Sequence, residues 1–292
     1  MPPSAFSPSR VQEITFIRTI GEHRKCITER FTTPTWVNIT TITMHAKLGT
    51  PIDVHKLRAL LEDAEDDGMQ LALECRLTIS RNKKTFKNQL TTTMRMFGTN
   101  KSVKFFHNGS IHVTGATGVF ECEVIIERIH RVVLPMLTSY RVPRPEFHVA
   151  LINSSFSLRH KVDLYRLIEH VSQPTHRSIY QWVFTPETYS GLRIKFQPFG
   201  DGKFVTTSVF SSGNVIITGS KTLKEVAFAY RRLTELVYEA PGVIMEPNEP
   251  KSKFEKGRGA NCWRYDVLFE WAHANGFRSW LDAPVDNTEI KF

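Results

Sequence analysis

Phe106-His107-Asn108-Gly109-Ser110-Ile111-His112-Val113-Thr114-Gly115-Ala116 and Phe210-Ser211-Ser212-Gly213-Asn214-Val215-Ile216-Ile217-Thr218-Gly219-Ser220 are two versions of one phrase. Each holds an aromatic ring, a Gly three residues on and a Thr-Gly pair at the same offsets. A helical apolar pattern follows each copy, Val119 to Leu137 and then Leu223 to Tyr238. Upstream, Ile52-Asp53-Val54-His55-Lys56-Leu57 answers Val162-Asp163-Leu164-Tyr165-Arg166-Leu167. The spacing between copies, 104 to 110 residues, far exceeds the repeat length of solenoids. The duplication therefore predicts one molecule with pseudo-twofold symmetry, suited to a partner with approximate twofold symmetry of its own.

Each copy predicts the same order: strand, helix, several antiparallel strands, long helix. In the first, Trp36 to Met44 reads as a strand, and Pro51 with Asp53 opens a helix carrying Val54, Leu57, Leu60 and Leu61 at the 3.6 period. Leu71 to Ile79 and Leu90 to Phe97 read as further strands around a basic loop, Arg81 to Lys84. Val103 to Phe106 and Ser110 to Thr114 form a hairpin over Asn108-Gly109, a pair that supplies positive φ. Pro135 is expected to kink or end the helix from Val119. The second copy gives strands Phe147 to Phe156, Leu192 to Gln197, Phe204 to Phe210 and Asn214 to Thr218. Its first helix is expected over Val162 to Val171, and a turn at Gly200 to Gly202.

Outside the copies, Val11 to Ile20 and Cys26 to Phe31 suggest a hairpin. Beyond Pro241 a basic linker (Lys251, Lys253, Lys256, Arg258) leads to aromatics at helical spacing, Trp263, Val267 and Trp271. That helix packs on the body or docks another protein.

The chain has 292 residues, 41% hydrophobic and 23% charged, which is ordinary globular composition and enough for a real core. Lys plus Arg number 38 against 29 Asp plus Glu, a formal charge of +9 that mildly favours a polyanionic partner. Cys26, Cys75, Cys122 and Cys262 form no close pair, which points to a reducing compartment and to neither zinc nor disulfides. No secretory leader and no membrane-spanning run are read, so a soluble intracellular protein is expected.

Alternation divides the hairpins. Val103, Phe105, Ile111 and Val113 share one face, as do Val205, Thr207, Val209, Val215 and Ile217, and that face is expected against the helices. The other carries Ser102, Lys104, Phe106, Ser110, His112 and Thr114 in one copy, and Thr206, Ser208, Phe210, Asn214, Ile216 and Thr218 in the other. Such a face needs a partner.

At these residues the sequence resembles the TATA-box-binding protein family, whose members carry Phe-x-x-Gly-x-x-x-x-Thr-Gly twice, each followed by a long helix. The likeness covers about residues 36 to 238. It implies an α+β fold, a saddle of two pseudo-symmetric repeats with a curved antiparallel sheet and helices on its convex face. The segments would be an N-terminal extension 1–33, repeats 34–140 and 141–240, and a C-terminal extension 241–292. The family is the reference case for wedging open the minor groove, so that mechanism comes from the resemblance alone.

Position by position, Phe106 and Phe210 match the wedging phenylalanines, and Tyr189 stands for the second copy's partner Phe. Thr114 and Thr218 match the central threonines, Asn38 a central asparagine that donates to minor-groove acceptors, and Ile216 an open-face position. Lys195 and Lys221 match basic positions near phosphates. The pattern departs at Gln89, aligned with the first wedge partner, at Leu151, aligned with the second asparagine, and at Lys104 and His112, where the family is aliphatic. Such divergence resembles relatives encoded by large DNA viruses of eukaryotes.

The resemblance implies a monomeric, cofactor-free initiation factor that bends A·T-rich promoter DNA and recruits a B-type initiation factor and RNA polymerase. It would work in the nucleus or in a viral factory or virion. Without the resemblance, Phe106 and Phe210 also read as core caps and Thr-Gly as a strand end. The competing function is a scaffold that kept the fold and lost sequence-specific DNA binding. No nucleophile elbow, zinc-protease or dinucleotide motif is present, and Gly213 to Lys221 lacks Walker spacing, so no enzyme is expected.

Overall fold

The computed structural model describes residues 34–249 apart from 36, 65–67, 73–74, 81–87, 97–98, 117–118, 139–141 and 198–202. The expected hairpin before residue 34, the basic loop at 81–84, the turn at 200–202 and the aromatic C-terminal helix lie outside these residues. The chain forms two compact units, Thr41–Leu151 and Ile152 onward together with the described residues up to Thr40.

The Thr41–Leu151 unit contains most of β1 (Asn38–Lys47), then helix α1 (Val54–Asp63) and strands β2 (Met69–Ala72), β3 (Cys75–Ile79), β4 (Gln89–Met96), β5 (Thr99–Phe106) and β6 (Ser110–Ala116). Its strands pair antiparallel in the order β2-β3-β4-β5-β6-β1. Where one strand is expected over Leu71 to Ile79, the structure has two, paired antiparallel through Met69 opposite Leu77.

Helix α2 follows in three pieces: Val119–Arg128, a π-helical turn Ile129–Val133, and Leu134–Leu137. Pro135 was expected to kink or end the last turn, and the helix does end at Leu137, after an irregular turn that precedes the proline. Proline has no N–H, and its ring crowds the carbonyl four residues back. The wider turn, with the Leu134 N–H donating to Ile129 O, sits over that carbonyl, at Arg131.

The other unit repeats the plan. It holds most of β7 (Phe147–Ser157), then β8 (His160–Val162), α3 (Leu164–Val171), the short α4 (Pro174–Arg177), β9 (Gln181–Thr185), β10 (Tyr189–Phe196), β11 (Val205–Val209), β12 (Asn214–Ser220), α5 (Leu223–Glu239) and β13 (Ile244–Pro247). The sheet order is β7-β12-β11-β10-β9, with β8 and β13 paired separately. Helix α3 starts at Leu164 rather than Val162, because Val162 is taken by the ribbon to β13. Asp163 caps α3 by accepting from the N–H groups of Tyr165 and Arg166, as Asp53 caps α1 through His55 and Lys56. Thr222 and Glu225 close a reciprocal capping box on α5.

The duplicated phrase has one structural job in both units. The Gly109 carbonyl accepts from Leu48 N–H at 3.0 Å and His107 O accepts from Ile52 N–H at 3.0 Å. In the other unit Gly213 O accepts from Leu158 N–H and Ser211 O from Val162 N–H, both at 2.9 Å. Each hairpin turn is thereby docked on the connection between the first strand and the first helix. Both glycines have positive φ, +80° and +79°, and a Cβ on either would fall about on the carbonyl oxygen of Thr50 or His160, at 2.0 and 1.8 Å. The strict Gly of the phrase is thus explained by contact as well as by turn geometry.

Each sheet buries one face against helices. In the Thr41–Leu151 unit α1 packs on β3 and β4 and α2 on β6, enclosing Leu77, Leu90, Met94, Val103, Phe105, Ile111 and Val113. In the other, α5 packs on β11 and β12, and the Tyr230 ring meets Phe156 edge-on at 4.6 Å. The expected core faces of both hairpins are the observed ones. A buried ion pair, Lys101 Nζ to Glu121 at 2.8 Å, ties β5 to α2.

Residues 34–40 belong with the second unit. Thr35 exchanges two 2.8 Å hydrogen bonds with Ser157, its carbonyl accepts from the Tyr230 hydroxyl, and Thr40 Oγ1 donates to Asn153 O.

Candidate nucleic-acid interface

The face of each sheet away from its helices stays mostly half-buried or exposed, apart from Ser155 and Ser208, and its side chains fall into rungs set by strand register. In the Thr41–Leu151 unit one rung is Thr78, Thr93, Ser102, Thr114 and Thr43. The next is Thr91, Lys104, His112 and His45, and another is Arg76, Arg95 and Asn100. Gln89 and Phe106 end the series. In the other unit the rungs include Gln181, Lys195, Thr206 and Thr218, then Val183, Arg193, Ser208, Ile216 and Ser155. Strands β1 to β12 contain no Asp or Glu, although the chain has 29 such residues. The open faces therefore combine hydroxyls, amides and cations with no carboxylate from any of these strands. That composition suits a polyanion with hydrogen-bonding edges.

Phe210 follows β11 and turns through Gly213, whose N–H donates to its carbonyl at 2.8 Å. The Tyr189 ring meets Phe210 nearly edge-on, centroids 5.7 Å apart, and the Arg193 guanidinium stands 5.4 Å over the Tyr189 ring. Gly191 makes this approach possible, since a Cβ there would lie 2.8 Å from one ring and 3.0 Å from the other.

Phe106 has a different surround. Gln89 lies opposite it in register, and His112 packs on its ring at 4.6 Å. Leu192 pairs with Val209, so one step further Gly191 stands opposite Phe210. Gln89 is thus the counterpart of Gly191 and not of Tyr189, which corrects the sequence alignment by two residues. The true counterpart of Tyr189 is position 87, outside the described residues.

Thr114 is exposed on β6, while Ile216 and Thr218 are half-buried on β12, Thr218 donating to Thr206 O. Lys195 is exposed on β10. Lys221 is exposed, and its backbone N–H is held by Glu225 in the α5 cap. Asn38 differs from the rest: it is only 6% exposed at the start of β1. Three side-chain atoms of the open faces are buried without a partner, Thr41 Oγ1, Ser102 Oγ and Arg193 Nε. Buried polar atoms of this kind are costly until something hydrogen-bonds them.

The sequence reading missed Arg193, His45 and His148. The first strand was expected to end at Met44, three residues early, which removed His45 from the alternation that places Thr43 on the open face. His45 and His112 stack, centroids 3.9 Å apart and planes 20° from parallel, with His148 edge-on to His45 at 5.6 Å. Burial, then the charge of His148, holds His45 below the ordinary imidazole range. Burial does the same for His112, helped by the charges of His45, Lys104 and His148. A depressed folded-state pKa means that the unfolded chain protonates first. The stability these residues give is present above pH 6.5 and is lost as pH falls from there through the folded values. The unfolding temperature is expected to drop between about pH 7.5 and 5.5. The drop should shrink in a His45→Gln/His112→Gln protein, with a residue left by His170, shifted the same way by burial and His176.

Among the described residues no group of three or more His, Cys, Asp or Glu is placed to hold a metal ion, and no helix is long and apolar enough to cross a membrane.

Residues 146–240 match the family described as transcription factor TFIID, or TATA-binding protein. A TATA-box-binding protein-like protein of Acanthamoeba polyphaga mimivirus is 25% identical over 236 residues, covering 66% of this chain and 63% of the relative. The chain thus spans less than two thirds of that relative's length. The TATA-box-binding protein of Methanocaldococcus jannaschii is 22% identical over 204 residues, covering 70% of this chain and 94% of the relative. A solved structure titled Methanococcus jannaschii TBP aligns with a TM-score of 0.48 at 19% identity, over 70% of this chain and 98% of that one. The chain thus joins an α+β architecture with its element order given twice to a TATA-binding protein domain match over residues 146–240, and it is similar over about two thirds of its length to the TATA-box-binding protein-like protein of the mimivirus and the TATA-box-binding protein of Methanocaldococcus jannaschii.

Proposed function

We propose that this chain is a non-enzymatic transcription initiation factor that binds and bends double-stranded promoter DNA through the minor groove. The observation that carries the reading is the open face of the second unit. There the aromatic pair Tyr189 and Phe210 stands at the end of a hydroxyl-lined, carboxylate-free sheet with Arg193 and Lys195 beside it. Half-buried rings at a sheet margin suit insertion between base steps, at a cost of roughly a few kcal/mol recovered through contact with the bent duplex. Ser, Thr and Asn side chains suit the degenerate acceptors of the minor groove, which favours A·T-rich sites. Repeats 34–140 and 141–240 would share the duplex as a monomer. Recruitment of a B-type initiation factor and RNA polymerase, and a site of action in the nucleus or a viral factory, complete the proposal.

The test is duplex binding at two salt concentrations on A·T-rich and G·C-rich DNA. Tighter binding to the A·T-rich duplex is expected, and raising salt from 50 to 200 mM should weaken it about 10- to 100-fold if a handful of phosphates are neutralised. Absence of salt-dependent binding to either duplex would overturn the reading. It would favour the scaffold alternative, which has its own support in edge strand β9, where Trp182 and Val183 are 40% and 43% exposed.

A further inference from the structure

The histidine cluster of the Thr41–Leu151 unit lies on the open face, away from the core that α1 and α2 cover. His112 and His45 stack on the open face, flanked by Phe106 at one ring and His148 at the other. Lys104 stands opposite His112 in register, so one rung presents an ammonium and two imidazoles in succession, with a third imidazole edge-on to the last. The charged and titratable groups facing the cluster are Lys104 on β5, His112 on β6, His45 on β1 and His148 on β7. Lys47 and Glu146 lie two residues from His45 and His148, and neither contributes to the shifts of His45 or His112. No carboxylate of any of these strands is available to balance positive charge.

With the Lys104 ammonium in the same rung and no counter-charge, the half-buried His45 and His112 imidazoles are held toward the neutral form while the face is empty, because each added positive charge makes the next harder to add. An anion laid across the row reverses that balance, favouring the imidazolium forms and gaining charge-assisted hydrogen bonds. We propose that the stacked His45 and His112, with His148 edge-on beside them, form a proton-linked contact to the phosphodiester backbone of duplex DNA, the stacked pair taking up protons on binding so that affinity rises in mild acid. This rests on the DNA-binding reading above and assigns the first unit a role that the aromatic pair of the second does not fill. The second unit has no counterpart: Arg193, Ser208, Ile216 and Ser155 occupy one of its rungs and Lys195, Thr206 and Thr218 the next. Among the described residues the contact therefore belongs to the first unit alone.

The experiment is calorimetric titration of the full chain with an A·T-rich duplex at constant ionic strength, in two buffers of different ionisation heat near pH 6.5. Uptake of about one proton per complex is expected, equivalent to roughly tenfold tighter binding between pH 7.5 and 6.0. Binding with no net proton uptake overturns the proposal and leaves the DNA reading standing. No binding at either pH overturns both. In a His45→Gln/His112→Gln protein the pH gain should fall to about twofold or less, with folding checked by circular dichroism. A full gain in that protein would place the protons elsewhere and overturn the assignment. The buffer comparison on the unaltered chain decides the matter even if the variant fails to fold.

Discussion

Replacing Phe106 and Phe210 together with alanine is expected to abolish DNA bending while the protein stays folded. Both rings are half-buried on open faces, so their loss removes little core and costs about 1 kcal/mol each. Energy transfer between dyes at the two duplex ends, or mobility of permuted sites, would report the bend. Unchanged bending would sink the wedge assignment. The two positions should also differ when changed singly. Phe210 is braced by Tyr189 across the gap left by Gly191, whereas Phe106 has Gln89 in the corresponding place and His112 on its ring. Phe210→Ala should therefore reduce the bend more than Phe106→Ala, and Tyr189→Ala should follow the former.

The largest loss of stability is expected at the two turn glycines. Gly213→Ala adds a methyl group at a backbone carbonyl and a side chain at φ +79°, and Gly109→Ala does the same at φ +80°. The hairpin would have to leave the strand–helix connection, losing its two docking hydrogen bonds and straining the turn. Each substitution is expected to cost about 3 kcal/mol or more, read as a fall in the denaturant midpoint. Gly49→Ala is the control, since its positive φ is similar but nothing lies within 4 Å of the added Cβ. It should cost only the local conformational penalty, about 1 to 2 kcal/mol. Equal losses at all three sites would show that the contact with Thr50 or His160 is not what makes the phrase strict.

Much of this was legible in the sequence because the hairpins are local. Alternation of Val103, Phe105, Ile111 and Val113 fixes which face is buried, and Asn108-Gly109 fixes the turn, without reference to the rest of the chain. Asp53 was legible as the opener of α1 for the same reason. What failed depended on partners distant in sequence. Strand β9 was not read as a strand, and only its pairing with β10 brings it out; Val162 reads as helical until β13 claims it. At the site, Phe210 and Thr218 were found through repetition. Arg193 and the histidine cluster do not repeat, so only register and ring geometry bring them into view. The lack of acidic residues in β1 to β12 was present in the sequence throughout, and it needed strand boundaries before it could be seen.

The placement of Thr35 has a consequence for how the chain is made. Its carbonyl waits for the hydroxyl of Tyr230, 195 residues later, and its side chain and N–H wait for Ser157, 122 residues later. At about 5–20 residues per second, the segment leaves the ribosome roughly 10–40 s before its last partner does. The segment at Thr35 therefore starts out without these partners, and is finished only when α5 has been synthesised.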